Sequence, residues 1–217
     1  MKPTILFDLD GTLIDSTSAI LEGFHYAFDK FNLPRAKDSD ITSQIGYPLD
    51  IMFANLGINA NIDEFVKAYK EKYLQIYLNQ TVLLDTAYEA VKIANSFADL
   101  GIVTTKTSKF SHILLEKLGI YQYFMTIIGR EDVVKLKPDA EPILKALKNM
   151  NKSIQNAFMV GDTKLDGLAA KAANIKSIGV KCGYGNEEEL KIYCDFIYKN
   201  PLEAVLFVKN KFINLQI

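Results

Sequence analysis

The sequence predicts an α/β protein with a Rossmann-like parallel sheet and an inserted all-helical domain. Short apolar runs alternate with helical patterns along most of the chain, which is typical of βαβ units. The runs are almost entirely apolar, as expected for strands that are buried on both faces. Residues 16–81 break the alternation and contain helical patterns without a strand-like run.

Five apolar runs are the predicted strands of the sheet. Helical patterns near 86–99, 110–118, 140–150 and 164–173 separate the later strands. Gly101 and Gly119 each follow one of these helices, at the position of a C-terminal cap. The predicted strands are 4–7, 101–104, 125–128, 157–160 and 177–180.

The segment 16–81 is predicted to form a helical cap, which leaves 1–15 and 82–217 as the α/β core. Apolar side chains recur at helical spacing in two stretches of this segment. Asn61 and Glu64 have the spacing of a capping box at the start of the second stretch. Between the stretches, turn residues separate shorter helices: Pro34, Gly46, Pro48 and Gly57.

Composition excludes several classes of function. The 217 residues carry 25 basic and 26 acidic side chains, well mixed, so no basic stripe predicts nucleic-acid binding. No apolar run approaches the roughly 18 residues of a transmembrane helix, and the first residues do not resemble a signal peptide. We therefore expect a cytoplasmic protein that binds neither nucleic acid nor membrane.

The sequence does not support catalysis by cysteine or histidine, and it does not support a Walker phosphate loop. Cys182 and Cys194 form no CxxC pair, and His25 and His112 lie in helical patterns away from a plausible nucleophile. No Gly-Lys dipeptide occurs, so the Walker phosphate loop is absent. Catalysis would then depend on carboxylates, lysine, threonine and backbone groups.

Two acidic pairs follow predicted strands. Asp8 and Asp10 end the first strand and point the same way, because side chains alternate in extended chain. Carboxylates this close repel unless a cation such as Mg²⁺ neutralises them, although Asp-Gly is also a common turn. Asp162 and Asp166 follow the fourth strand, where Asp162 could instead cap a helix. An EF-hand is excluded because Ala173 stands where that loop requires Glu.

A hydroxyl and a cation are predicted at the same edge. Thr104 ends the second strand, and Lys137 follows the third strand before Pro138. Alone, Thr104 would be an ordinary strand residue and Lys137 a solvated loop charge. Carboxyl ends of parallel strands share one edge of a sheet, however, and ligands bind at that edge.

These residues carry a family resemblance. FDLDGTLIDS, VTTK, KLKPDAEPIL and GDTKLDGLAAKAAN resemble, in order and spacing, the four motifs of the haloacid dehalogenase (HAD) superfamily of phosphatases. The insertion resembles the superfamily's C1 cap, and the chain is most similar to its phosphoglycolate phosphatase branch. Two departures are Leu83-Leu84-Asp85-Thr86, where many relatives have Pro-Gly, and Thr105-Lys106-Thr107, where they have Asn-Lys-Pro.

The resemblance implies a role for each matched residue. Asp8 would be the nucleophile that forms an aspartyl-phosphate, and Asp10 the acid and base. Mg²⁺ would be held by Asp8, the Asp10 carbonyl and Asp162, with Asp166 acting through water or by orienting Lys137. The residues implied to hold the phosphoryl oxygens are Gly11, Thr104, Thr105 and Lys137.

In the cap, the resemblance implies that a loop with Gln44, Gly46 and Tyr47 reads the leaving group, although Tyr47 could equally pack within the cap. The implied activity is Mg²⁺-dependent hydrolysis of a small phosphorylated metabolite, with phosphoglycolate as the leading candidate. The alternatives are a pyrophosphatase or nucleotide phosphatase, a sugar-phosphate mutase, and a non-enzymatic sensor of a phosphorylated ligand. We expect a monomer or a homodimer.

Overall fold

The chain forms two compact units in a computed structural model that describes residues 2–213. One unit comprises the chain up to Ile14 and from Leu83 onward, and the other is Asp15–Val82. The second unit begins one residue before the predicted insertion and ends one residue after it.

A six-stranded parallel sheet is the centre of the first unit, which confirms the predicted fold class. The strand order is β5-β4-β1-β6-β7-β8, so β1 lies between β4 and β6. The strands are β1 (Thr4–Phe7), β4 (Asp99–Val103), β5 (Phe124–Ile128), β6 (Ala157–Gly161), β7 (Lys176–Val180) and β8 (Phe196–Tyr198).

Helices connect these strands, as the alternating pattern predicts. The α-helices of this unit are α5 (Ala87–Asn95), α6 (Ser108–Lys117), α7 (Glu141–Asn149), α8 (Lys164–Ala172), α9 (Glu187–Tyr193) and α10 (Pro201–Ile213). Short 3₁₀ segments occupy Tyr121–Tyr123 and Arg130–Asp132. Within residues 2–213, no helix combines the length and the apolar character that crossing a membrane requires.

Gly101 is a strand residue, so its prediction as a helix cap is wrong. It lies in β4 opposite Leu6 of β1, and α5 ends at Asn95 because residues 99–103 join the sheet. A Cβ at Gly101 would lie 2.9 Å from Leu6 Cδ2 and 3.0 Å from Met150 Sδ, so a larger residue would require these core side chains to shift. Gly119, by contrast, follows α6 with a φ of +73°, as a C-terminal cap requires.

The sequence analysis did not predict β8, α9 or α10. Strand β8 is the apolar run Phe-Ile-Tyr, but its three residues make it shorter than the four-residue runs that marked the predicted strands. It is fixed by its neighbour, because the Asp195 carboxylate accepts hydrogen bonds from the N–H and hydroxyl of Ser177 on β7. Asn186 caps α9 by accepting the N–H groups of Glu188 and Glu189.

The second unit is a helical bundle with an aromatic core. Its helices are α1 (Thr17–Lys30), α2 (Asp38–Thr42), α3 (Leu49–Asn55) and α4 (Ile62–Gln80). Phe53 is fully buried, and its ring centroid lies 4.4 Å from that of Phe24 on α1 and 5.6 Å from that of Phe65 on α4. The prediction of a capping box at Asn61 is wrong, because Asn61 has a φ of +57° and its side chain makes no capping hydrogen bond.

Two short strands mark the passages between the units. Strand β2 (Ile14–Asp15) pairs with β3 (Val82–Leu83) in a two-stranded sheet. The N–H of Leu84 also donates to the carbonyl of Leu13, at 3.0 Å. The chain therefore leaves the first unit and returns to it at neighbouring points.

Phe53→Ala should lower the free energy of unfolding of the second unit by about 3–5 kcal/mol, because it leaves a cavity among packed rings. The measurement is urea unfolding followed by circular dichroism. Ile51→Ala is the matched control, since Ile51 lies on the same helix with 43% of its surface exposed. Equal losses in the two variants would contradict this account of the core.

Candidate active site

Three central strands end in polar side chains at one edge of the sheet. Asp8 directly follows β1, Thr104 follows β4, and Asp162 follows β6. Backbone hydrogen bonding between neighbouring strands continues for one residue beyond β1 and β4. The N–H of Asp8 donates to the carbonyl of Val160 (2.9 Å), and the N–H of Thr104 donates to the carbonyl of Ile128 (2.9 Å). The strand register therefore fixes the backbone positions from which these side chains extend.

Three carboxylates form a buried cluster at this edge. Asp8, Asp162 and Asp166 each offer an oxygen, and these oxygens lie within 4.8 Å of one another. All three residues are at most 3% exposed. A buried carboxylate is costly unless a cation or hydrogen bonds compensate it, so the cluster needs positive charge.

Lys137 supplies part of that charge. Its ammonium lies 2.9 Å from Asp8 Oδ1 and 2.6 Å from Asp166 Oδ1, and it also donates to the carbonyl of Val103 at 3.2 Å. Burial disfavours the ammonium, but the carboxylates of Asp166 and Asp8 outweigh it and raise the pKa of Lys137. The prediction that Asp166 orients Lys137 agrees with this contact.

Hydrogen bonds hold the other two carboxylates in place. Asp162 Oδ1 accepts the Thr12 hydroxyl at 3.0 Å, and its Oδ2 accepts the N–H of Tyr184 at 2.8 Å. Asp166 Oδ2 accepts the N–H (3.0 Å) and hydroxyl (2.8 Å) of Thr163, in a capping box at the start of α8. Each carboxylate is thus oriented by neighbours.

The cluster remains short of positive charge. Burial raises the pKa of Asp8 to about 6 against the opposing effect of Lys137, and Asp166 adds to the rise. Burial and the charges of Asp8 and Asp166 also raise the pKa of Asp162 well above its ordinary value. Three clustered carboxylate ligands with a single adjacent ammonium fit a divalent cation that prefers hard oxygen donors.

Asp10 lies apart from this cluster and pairs with a different lysine. Its Oδ2 is 3.1 Å from the ammonium of Lys106, and the two side chains are 13% and 10% exposed, respectively. Its Oδ1 is buried and has no hydrogen-bond partner among the residues that the structure describes. The two aspartates of the first motif therefore have different surroundings.

Gly11 and Thr104 both make local hydrogen bonds, Gly11 as a donor and the Thr104 hydroxyl as an acceptor. The N–H of Gly11 donates to the carbonyl of Ile14 at 2.9 Å, so the structure does not support that amide as a phosphate ligand. The φ of Gly11 is +82°, and a Cβ there would lie 2.3 Å from Asp162 Oδ2, which is why glycine stands here. The buried Thr104 hydroxyl accepts the N–H of Lys106 at 3.2 Å, and Thr105 is half-buried beside it.

The predicted specificity residues belong to the second unit. Gln44 accepts a hydrogen bond from the side chain of Asn55 (2.7 Å) through Oε1. Gly46 has a φ of +109°, and the half-buried Tyr47 donates its N–H to the carbonyl of Gln44 at 3.1 Å. These three residues form a tight turn between α2 and α3.

Three residues of the site lie outside the predicted set: Thr12, Lys106 and Tyr184. Tyr184 comes from the loop after β7, where it lies between Gly183 and Gly185. A Cβ at Gly183 would lie 2.2 Å from Asp162 Oδ2, and one at Gly185 would lie 1.8 Å from the Asp162 carbonyl oxygen. The two glycines that flank Tyr184 after a sheet strand could therefore have indicated that this loop approaches Asp162 closely.

Comparisons with known proteins agree with this geometry. The family model described as haloacid dehalogenase-like hydrolase matches residues 5–180. A Bacillus velezensis protein named pyrophosphatase PpaX is 34% identical and aligns with 87% of this chain and 88% of its own. A Pectobacterium atrosepticum protein named phosphoglycolate phosphatase is 30% identical over 87% of this chain and 84% of its own.

A solved structure gives the same result. A haloacid dehalogenase-like hydrolase from Streptococcus pneumoniae superposes with a TM-score of 0.88 at 29% identity, covering 95% of this chain and 98% of the other. The fold and the carboxylate cluster define an α/β protein with a candidate metal site at the edge of its parallel sheet. The chain belongs to the haloacid dehalogenase-like hydrolase family, which confirms the predicted resemblance.

In EDTA, Asp162→Asn should raise the midpoint of thermal unfolding by about 2–6 °C, because it removes one repelling charge from the cluster. The asparagine can keep the bond from Tyr184 through its oxygen and donate to the Thr12 hydroxyl. The gain should widen as pH rises through about 6, since Asp8 is protonated below that pH and the repulsion is then smaller.

Added Mg²⁺ should raise the midpoint of the wild type and change that of the variant little. Asp85→Asn, at an exposed position, is the control and should follow the wild type in both conditions. An Asp162→Asn protein that Mg²⁺ stabilises as much as the wild type would argue against this site.

Proposed function

We propose that the protein is a Mg²⁺-dependent phosphatase that hydrolyses a small phosphate ester through an aspartyl-phosphate. The observation that supports this proposal is that Asp8 and Asp10 lie in different surroundings. Asp8 lies in the buried carboxylate cluster on Lys137, whereas Asp10, two residues later, lies outside the cluster on Lys106. These different surroundings support a nucleophilic role for Asp8 and an acid and base role for Asp10.

The donor set fits Mg²⁺. Asp8, Asp162 and the backbone carbonyl of Asp10 would hold the ion, and Asp166 would act through Lys137 or through water. When bound, the ion supplies positive charge that neutralises the carboxylates and the phosphoryl oxygens. A phosphate dianion beside these carboxylates would otherwise face one nearby ammonium.

The chain's own residues account for both chemical steps. A carboxylate oxygen of Asp8 bonds to phosphorus, the bond to the leaving oxygen breaks, and Asp10 gives that oxygen a proton. Water then attacks phosphorus while Asp10 takes back a proton, and the bond from phosphorus to Asp8 breaks. Both residues return to their starting states, and phosphate leaves.

Positive charge and hydroxyl groups hold the transferring phosphoryl group. Lys137 stands beside Asp8, where it can pair with a phosphoryl oxygen as well as with the nucleophile. Thr104 and Thr105 follow the neighbouring strand and complete the cradle. The Gly11 amide has no part in it, because it donates to Ile14. Positioning and charge neutralisation of this kind dominate phosphoryl transfer.

Two substrates are supported by the relatives. The Pectobacterium protein's name favours phosphoglycolate, and the Bacillus protein's name favours pyrophosphate. We rank phosphoglycolate first and pyrophosphate second, and both are small phosphorylated molecules. We further propose that the protein acts on free metabolites, as a monomer or a homodimer.

The test measures phosphate release from phosphoglycolate and from pyrophosphate, with Mg²⁺ and in excess EDTA. We expect turnover of at least one of them with Mg²⁺ and none in EDTA. Ca²⁺ should support less activity, because its looser and higher coordination misplaces the nucleophile. Full activity in EDTA would refute the metal requirement, and no phosphate release from any phosphate ester would refute the function.

Asp8→Asn should lower turnover by more than about a thousandfold, because a neutral amide cannot attack phosphorus. The variant should still fold, which circular dichroism and its melting midpoint check, and it also serves as the control for contaminating phosphatase. Activity within about tenfold of the wild type would show that Asp8 is not the nucleophile.

Tyr47→Ala tests the proposal that Tyr47 contacts the leaving group. We expect kcat/KM for the preferred substrate to fall by about tenfold, and that for a generic aryl phosphate to change little. Equal losses on both substrates would indicate general damage to the helical unit. No loss on either would remove Tyr47 from substrate recognition.

A further inference from the structure

The loop between β4 and α6 carries two of the residues proposed to hold the phosphoryl group. It spans only residues 104–107, and it includes Thr104 and Thr105. Thr104 is buried at the strand end, where its N–H donates to the carbonyl of Ile128 at 2.9 Å. Residues 105–107 are half-buried, so packing restrains them less. Their conformation therefore depends on how the start of α6 is held.

The first turn of α6 is held by a carboxylate from another loop. Thr107 stands at the N-terminal cap, yet its side chain caps no N–H among the described residues. Glu131, in the 3₁₀ segment after β5, takes that place. Its Oε2 accepts the N–H of Ser108 at 2.9 Å, and its Oε1 accepts the Ser108 hydroxyl at 2.8 Å and the N–H of Lys109 at 3.2 Å. The carboxylate thus satisfies two amides that a helix start otherwise leaves without partners.

Further contacts join the same two loops. The N–H of Arg130 donates to the carbonyl of Lys106 at 3.0 Å, and the N–H of Lys106 donates to the Thr104 hydroxyl at 3.2 Å. A Cβ at Gly129 would lie 2.2 Å from the Ser108 nitrogen and 2.6 Å from the Lys106 carbonyl oxygen, so the backbones approach closely. The loop that carries Thr104 is therefore fastened to its neighbour at both Lys106 and Ser108.

Glu131 makes these contacts as an ionised group. Partial burial of its side chain opposes ionisation, but hydrogen bonds from its own N–H and from Ser108 and Lys109 outweigh that effect and lower its pKa. Hydrogen bonds to an ionised acceptor are stronger than those between neutral groups, and a negative charge at the start of α6 interacts favourably with the helix dipole. The carboxylate is therefore a stronger restraint on the loop than a neutral cap.

We propose that Glu131 is a positioning residue that holds the loop 104–107 in the conformation in which Thr104 and Thr105 contact the phosphoryl group. This inference rests on the proposed function, because it concerns how that phosphoryl group is held. Glu131 acts through the two threonines rather than on the substrate. The Thr104 hydroxyl accepts the N–H of Lys106 and can still donate its own hydrogen to a phosphoryl oxygen.

Removing the carboxylate should weaken binding of the phosphoryl group whatever the leaving group is. In Glu131→Ala with Mg²⁺, we expect kcat/KM to fall about tenfold for the preferred substrate and for para-nitrophenyl phosphate alike, as it would if about one molecule in ten kept the loop in place. Inhibition by orthovanadate, which resembles the transferring phosphoryl group, should weaken by the same factor. Glu131→Gln keeps one acceptor oxygen and should lose about threefold in both measurements.

Glu203→Ala is the matched control. Glu203 is also exposed, and its carboxylate accepts a backbone N–H, that of Lys199 at 3.0 Å, at the start of α10. Glu131→Ala and Glu203→Ala should each lower the melting midpoint by about 2–4 °C, but only Glu131→Ala should change the kinetics. The rise of the midpoint on adding Mg²⁺ should equal that of the wild type in both, because neither change touches the carboxylate cluster.

A double-mutant cycle separates positioning from a loss of stability. In a background of Thr104→Val and Thr105→Val, the groups that Glu131 positions are already gone. Adding Glu131→Ala to that background should therefore lower kcat/KM by less than about threefold, instead of the tenfold expected in the wild type. A further tenfold loss would show that Glu131 acts independently of the threonines and would overturn the inference.

Two other results would overturn the inference and leave the proposed function intact. One is a Glu131→Ala protein whose kinetics and orthovanadate inhibition match those of Glu203→Ala. The other is a Glu131→Ala protein that Mg²⁺ no longer stabilises, which would indicate general damage to the site. A wild type that hydrolyses no phosphate ester would overturn both proposals. Should Glu131→Ala fail to fold, Glu131→Gln decides the question, because unchanged kcat/KM and orthovanadate inhibition in that variant would contradict the inference.

Discussion

The ion pairs of Lys137 are the interaction on which the rest of the site depends. Its ammonium joins the end of β1, through Asp8, to the start of α8, through Asp166. Breaking a buried pair of this kind typically costs about 3–5 kcal/mol, because a charge is left without compensation. The same lysine still leaves the carboxylate cluster short of positive charge. Three buried carboxylates with such a deficit are a candidate site for a divalent cation.

Sequence patterns predicted most of the sheet because buried parallel strands are nearly all apolar. They also predicted one shared edge for Asp8, Thr104 and Asp162, since each of these residues follows a central strand. The contact of Lys106 with Asp10 could not be predicted this way. The sequence places Lys106 just after a strand, but the direction of its long side chain depends on the conformation of the loop. Strand β8 was not predicted because its apolar run, Phe-Ile-Tyr, is only three residues long.

Two predictions about helix ends were wrong for the same physical reason: one residue type is compatible with several conformations. Asn61 has the spacing of a capping box, yet asparagine also tolerates the left-handed conformation that it adopts before α4. Gly101 follows a helix, yet glycine also serves where two layers of the core approach closely. The Gly11 amide shows a further limit, because no sequence pattern reveals that its donor is already used within a turn.

The pairing of β2 with β3 has a consequence for how such a chain evolves. Because the helical unit starts and finishes at adjacent strands, its removal would leave a gap that a short turn could close. Insertions of this kind are tolerated thermodynamically, since loop-closure entropy grows slowly with length. The sheet edge that carries the carboxylate cluster and the helical unit can thus be inherited as separable modules. A lineage could exchange the unit between Asp15 and Val82 while the strand ends that carry Asp8 and Asp162 stay as they are.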